Sequence, residues 1–434
     1  MKRKIYLDNA ATTKVDPQVL EAMLPYFSEK FGNASEIHQW GVDAKEGKEK
    51  AREQIAKKLN CQPKEIIFTS CATESINLAH KGLVENEVMR VKKEVRSDEG
   101  EERSGKLPHI ITTQIEHKAV LESCKHLEKL GWAEVTYLGV DHDGLVDISE
   151  LEKVIRPETV LVSVMYVNNE VGTIEPIVEI GQLIKKINIS RLTSHLTPIN
   201  FHTDATQGLQ YLDCDVDKLG VDLLSLTGHK LGAPKGIGAL FVRKGVKLIR
   251  QQDGGGQERN LRAGTENVPY IVGLGKAVEQ TGGPHFAPST SLRASRGKLK
   301  NEKTEKLRDK LIEGVLKIPN TLLTGHPEKR APHVASFVIK GVEGESMLLL
   351  FNEAGVAVST GSACNTGDLA PSHVLSAMGY QPWDAHGSLR FSLGKGTTEE
   401  EVGYVLTILP GIVEKLRKMA PKLKDHGGVT VVKK

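Results

Sequence analysis

The sequence predicts an α/β fold in which helices cover a large sheet. Apolar runs rich in β-branched residues alternate along the chain with segments of helical periodicity, the pattern of a sheet joined by crossover helices. The chain has 434 residues, more than one hydrophobic core usually organises, so a large domain with a smaller partner is expected. The sequence contains no apolar run long enough to span a bilayer.

Seven short runs have the composition of strands and would together form a substantial sheet. They are residues 65–70, 109–113, 134–140, 160–167, 199–203, 222–226 and 237–242. Apolar residues at helical spacing lie between them, in residues 120–130 and in residues 177–187. We predict that both segments are helices that face the core.

Three stretches break this pattern, and we interpret them as surface insertions or linkers. Residues 92–106 are a mixed-charge run, residues 188–198 are polar, and residues 281–303 are rich in Gly, Pro, Ser and Lys. The last stretch indicates a domain boundary, because a new helix is predicted at residues 305–316.

Composition narrows the classes of function. The 58 basic and 55 acidic residues leave a formal charge of +3, which is too balanced to attract nucleic acid in general. The first residues, MKRKIYLDNAATT, include basic side chains but no apolar stretch of a secretory signal, which predicts a cytoplasmic protein. The five cysteines form no CxxC pair, so we expect reduced thiols.

Polar side chains follow the predicted strands at their carboxyl ends, where open α/β sheets bind ligands. Thr73 follows the strand at 65–70 and stands at a predicted helix start, where free backbone N–H groups favour a phosphate. Taken alone, this pattern is more simply explained by helix capping through Ser70 or Thr73. His117 follows the next strand, although a lone histidine there is more often an ordinary surface residue.

The later strand ends carry amide, carboxylate and amine groups. They include Asn169, Asp204 and Gln207, and a Thr-Gly-His-Lys motif that ends in Lys230. The Gly-rich residues 232–238 follow this motif and would let the backbone approach a ligand closely. Together these groups supply what pyridoxal phosphate needs: an amine for its aldehyde, an anion cradle, a carboxylate for the pyridinium and an imidazole to stack on the ring.

On these motifs the sequence resembles the cysteine desulfurases of the aminotransferase class V family, which are fold type I pyridoxal-phosphate enzymes. The resemblance extends from residue 6 to about residue 416. Further shared motifs are YLDNAATT at 6–13, GNAS at 32–35, GGGQE at 254–258, RAGT at 262–265, SAC at 362–364 and RFSLG at 390–394. The resemblance implies a large domain with a mainly parallel seven-stranded sheet and a smaller α+β domain.

The resemblance also implies where the domains divide and which residues bind the cofactor. Residues 16–262 would form the large cofactor-binding domain, and residues 1–15 with 263–434 the small domain. Lys230 would bind pyridoxal phosphate covalently, and Asp204 would face its pyridine nitrogen. The remaining cofactor contacts would come from Ala72, Thr73, His117, Asn169, Gln207, Thr227 and His229, with Thr265 from the second subunit of a homodimer.

Substrate binding and catalysis are implied in the same way. Arg390, assisted by Asn169, would bind the carboxylate of L-cysteine, and Lys230 and His117 would move protons. Cys364 lies in a Gly- and Ser-containing stretch that resembles a mobile loop, and would take the sulfur as a persulfide while alanine is released. The sulfur would pass to an iron–sulfur scaffold, to tRNA thiolation or to another acceptor.

The remaining thiols have simpler explanations. Cys61, Cys124 and Cys214 are expected to be structural, and Cys71 stands where the family usually has glycine.

Three alternatives stay open at this point. A selenocysteine lyase would share nearly every one of these residues. An aminotransferase or decarboxylase of the same fold would have no use for Cys364. A catalytically inactive protein that only binds sulfur-transfer partners would not need Lys230, Asp204, His117 and Cys364 intact.

Overall fold

The computed structural model describes residues 3–97, 106–281, 292–361 and 371–419. Within these residues the strands are β1 (Ile5–Tyr6), β2 (Ile66–Thr69), β3 (His109–Thr113), β4 (Glu134–Leu138), β5 (Thr159–Ser163), β6 (Asn200–Asp204), β7 (Leu223–Thr227), β8 (Gly238–Val242), β9 (Thr321–Leu323), β10 (Val334–Ile339), β11 (Val356–Ala357) and β12 (Ser388–Ser392).

The helices of the same residues are α1 (Pro17–Met23), α2 (Pro25–Ser28), α3 (Gln39–Leu59), α4 (Ala72–Ser97), α5 (Lys118–Lys129), α6 (Ile148–Val154), α7 (Ile177–Thr193), α8 (Val216–Leu219), α9 (Val268–Thr281), α10 (Leu292–Leu316), α11 (Gly344–Glu353), α12 (His373–Ala377), α13 (Pro382–Ala385) and α14 (Glu399–Met419). None of them is long and apolar enough to cross a membrane.

All seven predicted strands are present and form one sheet, in the order β2-β8-β7-β6-β5-β3-β4. The pairs from β4 to β7 are parallel, whereas β8 runs antiparallel to both of its neighbours. The inner strands are buried along their length, as expected for a sheet covered on both faces. The predicted mainly parallel sheet is confirmed.

Helices pack on both faces of this sheet. Successive side chains of β2 point to opposite faces of the sheet. Ile66 and Phe68 belong to the core beneath α3, α7 and α9, and Ile67 belongs to the core beneath α4 and α5. The helices predicted from residues 120–130 and 177–187 are confirmed as α5 and α7.

Each stretch predicted to be a surface insertion or linker contains residues of a helix. For these helical residues the interpretation as a linker was wrong. α7 continues to Thr193, inside the polar stretch 188–198, and α10 begins at Leu292, inside the stretch 281–303. The end of α7 and the start of α10 therefore lie in polar stretches. Polar composition does not prevent helix formation, because Lys, Glu, Gln and Arg have good helix propensity. α4 similarly extends into the stretch 92–106. Residues 98–105 and 282–291 lie outside the described residues.

A second, smaller core supports the α+β unit of the carboxy-terminal part. β12, β10 and β9 form an antiparallel sheet, and β1 pairs in parallel with β11, which brings the amino terminus into this unit. Phe391 packs edge-on against Phe337 and Phe351, with ring centroids 6.2 and 5.8 Å away, and all three rings are fully buried.

The boundary between the two units is a proposal that depends on α9. Its side chains Ile271, Leu274 and Val278 belong to the core of the large sheet, and α9 packs along α3. We therefore propose that the large domain extends through α9, beyond the residue 262 expected from the resemblance.

The aromatic cluster gives a test of the small core. Phe351→Ala should lower the free energy of unfolding by about 3 to 5 kcal/mol, because it removes a fully buried ring and leaves a cavity. Leu349→Ala on the same helix is the matched control, since Leu349 is 67% exposed and should cost no more than about 0.5 kcal/mol. Urea denaturation measures both, and equal losses would contradict this packing.

Candidate active site

A cavity of about 410 Å³ lies beyond the carboxyl ends of β2, β5, β6 and β7. It is lined by ten of the twelve residues that the sequence nominated: Ala72, Thr73, His117, Asn169, Asp204, Gln207, Thr227, His229, Lys230 and Arg390. Thr265 is exposed and does not line the cavity. Cys364 lies outside the described residues, whereas Gly361, three residues before it, lines the cavity.

One end of the cavity is suited to an anion. The 26-residue helix α4 begins at Ala72, shortly after β2, and Ala72 and Thr73 of its first turn line the cavity, where the free N–H groups of a helix start favour an anion. Thr227 and His229 also line the cavity. Gly238 at the start of β8 lies close to Leu226 of β7, where a larger residue would not fit. A Cβ built on Gly238 would lie only 2.7 Å from the carbonyl oxygen of Leu226.

Asp204 ends β6 at the centre of the cavity and is only 6% exposed. Its Oδ1 accepts the backbone N–H of Thr206 at 2.9 Å, which orients the carboxylate. Gln207, one turn further, is held by donation from its Nε2 to the carbonyl oxygen of Ala10 at 2.9 Å. The hydroxyl of Thr206 is buried and has no hydrogen-bond partner in the part of the chain that the structure describes.

His117 caps helix α5, and this fixes the tautomer of its ring. Its Nδ1 accepts the backbone N–H of Ala119 at 3.1 Å, so a neutral ring carries its proton on Nε2. Burial lowers the pKa of His117; the carboxylate of Asp204 raises that pKa and the ammonium of Lys230 lowers it further. Desolvation dominates, so the ring is predominantly neutral near neutral pH.

Arg390 presents its guanidinium from β12 on the small-domain side. Nη1 donates to the carbonyl oxygen of Asn169 at 2.8 Å, and Nη2 donates to Oδ1 of Asp8 at 2.9 Å. Its Nε is buried and without a hydrogen-bond partner among the described residues. Two of the three guanidinium nitrogens therefore orient the side chain, and Arg390 lines the cavity.

Sequence reasoning missed two acidic residues of the cavity. Asp8 pairs with Arg390, and Glu170 lies beside Asn169 with only 6% of its surface exposed. Asp8 stands inside the recognised motif YLDNAATT and Glu170 directly follows the nominated Asn169, but the sequence alone did not show that these two side chains line the cavity.

The described thiols differ in their surroundings. Burial raises the pKa values of Cys61, Cys124 and Cys214 to about 12, so these thiols remain protonated near neutral pH. Cys124 and Cys214 are fully buried, as their structural interpretation requires. Cys71 lines the cavity at the start of α4. Among the described residues, no group of His, Cys, Asp and Glu side chains could hold a metal ion.

The chain matches a known family over most of its length. Residues 5–405 match the family model "Aminotransferase class-V", and the chain belongs to this family. Within it, the chain is 47% identical to the cysteine desulfurase IscS of Methanosarcina thermophila, over 96% of this chain and 94% of that protein. It is 46% identical to the cysteine desulfurase IscS of Dictyoglomus turgidum, over 97% of each protein.

Solved structures agree with the sequence comparison. A NifS-like protein superposes with a TM-score of 0.82 at 38% identity, over 96% of this chain and 100% of that chain. The structure of SspA in complex with cysteine superposes with a TM-score of 0.72 at 36% identity, over 92% of this chain and 100% of that chain. The fold class and the family resemblance predicted from the motifs are confirmed.

The electrostatics of His117 can be tested by titration. Lys230→Met should raise the pKa of His117, because it removes a nearby cation that disfavours protonation. Asp204→Asn should lower the pKa further, because it removes the carboxylate that favours protonation. Histidine-selective NMR of the cofactor-free protein measures both, with the resonance assigned from His117→Gln. A pKa that falls when Lys230 is replaced would contradict this arrangement of charges.

Proposed function

We propose that this chain is a pyridoxal-phosphate-dependent cysteine desulfurase, which takes the sulfur of L-cysteine as a persulfide on Cys364 and releases L-alanine. The observation that carries the proposal is the convergence of Lys230, Asp204, His117 and Arg390 on one cavity. An amine, a carboxylate and an imidazole at the carboxyl ends of the large sheet, together with a guanidinium from the small sheet, match the requirements of cofactor and amino acid together.

The cavity residues fit the cofactor. Lys230 would hold it covalently, the carboxylate of Asp204 would hold its ring nitrogen, and His117 would stack on its ring. The start of α4, with Thr73, Thr227 and His229, would bind its phosphate. The unpaired hydroxyl of Thr206 supports a polar occupant of this cavity. When bound, pyridoxal phosphate supplies an electron sink for the carbanion at the substrate's α-carbon.

Substrate orientation would depend on Arg390. Arg390 lines the cavity, and its guanidinium is suited to a substrate carboxylate because charge-assisted hydrogen bonds to guanidinium are strong. Asp8 and the carbonyl oxygen of Asn169 hold the guanidinium in place before substrate arrives. The Asn169 side chain also lines the cavity and would assist.

Proton and sulfur transfers then fall to different residues. Lys230 would take the α-proton of cysteine, and the Nε2–H of neutral His117 would donate a hydrogen bond beside it. The thiolate of Cys364 would attack the substrate sulfur, so that a sulfur–sulfur bond forms and the carbon–sulfur bond breaks. Protonation of the remaining carbon skeleton gives alanine. Three residues of chain span at most about 11 Å, so Gly361 attaches the Cys364 segment beside the cavity.

Subunit sharing, location and acceptors complete the proposal. Thr265 is exposed and outside the cavity of its own chain, which supports its predicted contact with the cofactor phosphate of a second subunit in a homodimer. We place the enzyme in the cytoplasm. Its persulfide would serve a sulfur-acceptor protein, in iron–sulfur cluster assembly or in tRNA thiolation.

The cofactor assignment can be tested by absorbance. The purified protein reconstituted with pyridoxal phosphate should be yellow, and Lys230→Ala should lose the visible band of the covalently bound cofactor. Lys235→Ala is the matched control, because Lys235 is exposed, lies nearby in sequence and does not line this cavity. A wild-type protein that stays colourless after reconstitution would refute the proposal.

The sulfur-capture assignment can be tested with cysteine variants. Cys364→Ala should bind the cofactor and change its spectrum when cysteine is added, yet form no persulfide and no catalytic alanine. Cys124→Ala should at most lose stability, because the Cys124 thiol is buried in the core away from the cavity. Alanine and sulfide assays measure the outcome. Turnover of Cys364→Ala at the wild-type rate would show that the nucleophile is assigned wrongly.

A further inference from the structure

Gln207 lines the cavity, and the oxygen of its amide contacts a histidine to which the mechanism above gives no role. This residue, His333, directly precedes β10 of the small domain and is only 2% exposed. Its Nε2 lies 3.4 Å from Oε1 of Gln207, in a buried hydrogen bond. The contact joins residues 126 positions apart and links the small domain to a residue of the cavity.

The hydrogen-bond partners of Gln207 determine which way its amide points. The carbonyl oxygen of Ala10 can only accept, so the group 2.9 Å from it must be the amide nitrogen Nε2 of Gln207. Oε1 of Gln207 then faces His333, and because this oxygen also only accepts, Nε2 of His333 must carry the proton. Among the described residues, these bonds use one of the two amide N–H groups of Gln207, so the second is available to an acceptor in the cavity.

The ring of His333 is itself held in place. It stacks on the ring of Tyr211, with ring centroids 4.1 Å apart and an angle of 14° between the planes. The backbone carbonyl oxygen of His333 accepts the N–H of Leu393 at 2.8 Å. Two residues earlier, the carbonyl oxygen of Ala331 accepts from Nη1 of Arg308 at 3.0 Å. Nε2 of His333 is therefore presented to Gln207 from a defined position.

The surroundings of His333 favour a neutral ring with its proton on Nε2. Burial, followed by the charges of Arg390, Lys230 and Arg308, lowers the pKa of His333 to about 3. Nδ1 is buried and has no hydrogen-bond partner among the described residues. A proton on Nε2 makes the hydrogen bond to Gln207, whereas a proton on Nδ1 would leave both a buried donor and the amide oxygen unpaired.

We propose that His333 is a positioning residue for the cofactor, which holds the Gln207 amide so that its second N–H donates to the phenolic oxygen of pyridoxal phosphate. The inference rests on the function proposed above, in which Gln207 contacts the cofactor. Without His333, Oε1 of Gln207 would be a buried acceptor that lacks this donor, and the side chain would be stabilised by turning away to find another.

The phenolic oxygen gives this contact a measurable effect. In the covalently bound cofactor, a proton is shared between the nitrogen of Lys230 and the phenolic oxygen, and the visible absorbance changes when that proton leaves. Negative charge then rests on the oxygen, and an N–H donor stabilises this charge, which lowers the pKa of the shared proton. Loss of the donor from Gln207 should therefore raise the pH at which the visible band changes.

The test compares variants of His333 in the reconstituted full-length protein. His333→Phe keeps an aromatic ring against Tyr211 but removes the donor, whereas His333→Gln keeps an N–H donor of similar reach. The matched control is His109→Phe, because His109 is also a buried histidine, only 1% exposed. Both of its ring nitrogens are hydrogen-bonded, to Thr159 and Thr136 at 2.8 Å, and it lies at the amino end of β3, away from the cavity.

The visible absorbance is recorded as a function of pH for each protein. His333→Phe should raise the midpoint by about one pH unit, the size expected for a hydrogen bond to a charged group. His333→Gln and His109→Phe should match the wild type. Gln207→Ala should also raise the midpoint, and adding His333→Phe to it should cause little further change, because His333 acts through Gln207.

The proton position on His333 can be measured without changing the site. Histidine-selective NMR of the wild-type, cofactor-free protein should show the proton on Nε2, with the resonance assigned from His333→Gln. A proton on Nδ1 would leave Gln207 without its donor and would overturn the inference, even if His333→Phe failed to fold or to bind the cofactor.

The absorbance measurements can overturn the inference as well. An unchanged midpoint in His333→Phe would do so, as would an equal rise in His109→Phe or a full rise caused by His333→Phe in the Gln207→Ala background. In each of these cases the wild type still shows the visible band, so the proposed function stands. A wild type that shows no visible band after reconstitution contradicts the function itself, and the inference with it.

Discussion

The burial of the Asp204 carboxylate at the end of a central strand is the constraint on which the rest of the site depends. A carboxylate that is only 6% exposed loses most of its hydration, which is costly unless hydrogen bonds and positive charge compensate. One hydrogen bond comes from Thr206, and the cavity beside the carboxylate leaves room for a cationic partner such as a protonated ring nitrogen. The parallel sheet fixes Asp204 relative to the strand ends that carry Asn169 and Thr227.

The second domain completes the site from the opposite side. Arg390 comes from β12 of the small sheet, yet its guanidinium donates to Asn169 of the large domain and to Asp8 near the amino terminus. Glu170 of the large domain similarly accepts a hydrogen bond from the hydroxyl of Ser372. In the proposed function, the large domain would supply the groups for the cofactor and the α-carbon, and the small domain those for the substrate carboxylate and sulfur.

Much of this arrangement could be predicted because its signals are local in sequence. The seven strands are runs of β-branched and apolar residues, and the carboxyl ends of parallel strands must share one edge. This explains why nine of the ten nominated residues that line the cavity lie together; the tenth, Arg390, comes from the small sheet. Pairing between distant segments gave no local signal. The Asp8–Arg390 ion pair joins residues 382 positions apart, and the contact of Glu170 with Ser372 joins residues 202 positions apart. Helix extent was also underestimated, because the charged start of α10 has the composition of a linker.

The central claim is that this cavity passes the sulfur of cysteine to Cys364 in a single reaction. The most direct measurement is a single turnover in which reconstituted enzyme meets less than one equivalent of L-cysteine, without reductant, and both products are counted. The account predicts equal amounts of alanine and of subunits that carry one additional sulfur atom, with that atom located by mass spectrometry on the peptide containing Cys364. Release of pyruvate and ammonia in place of alanine, or alanine formed with the added sulfur on another residue, would contradict it.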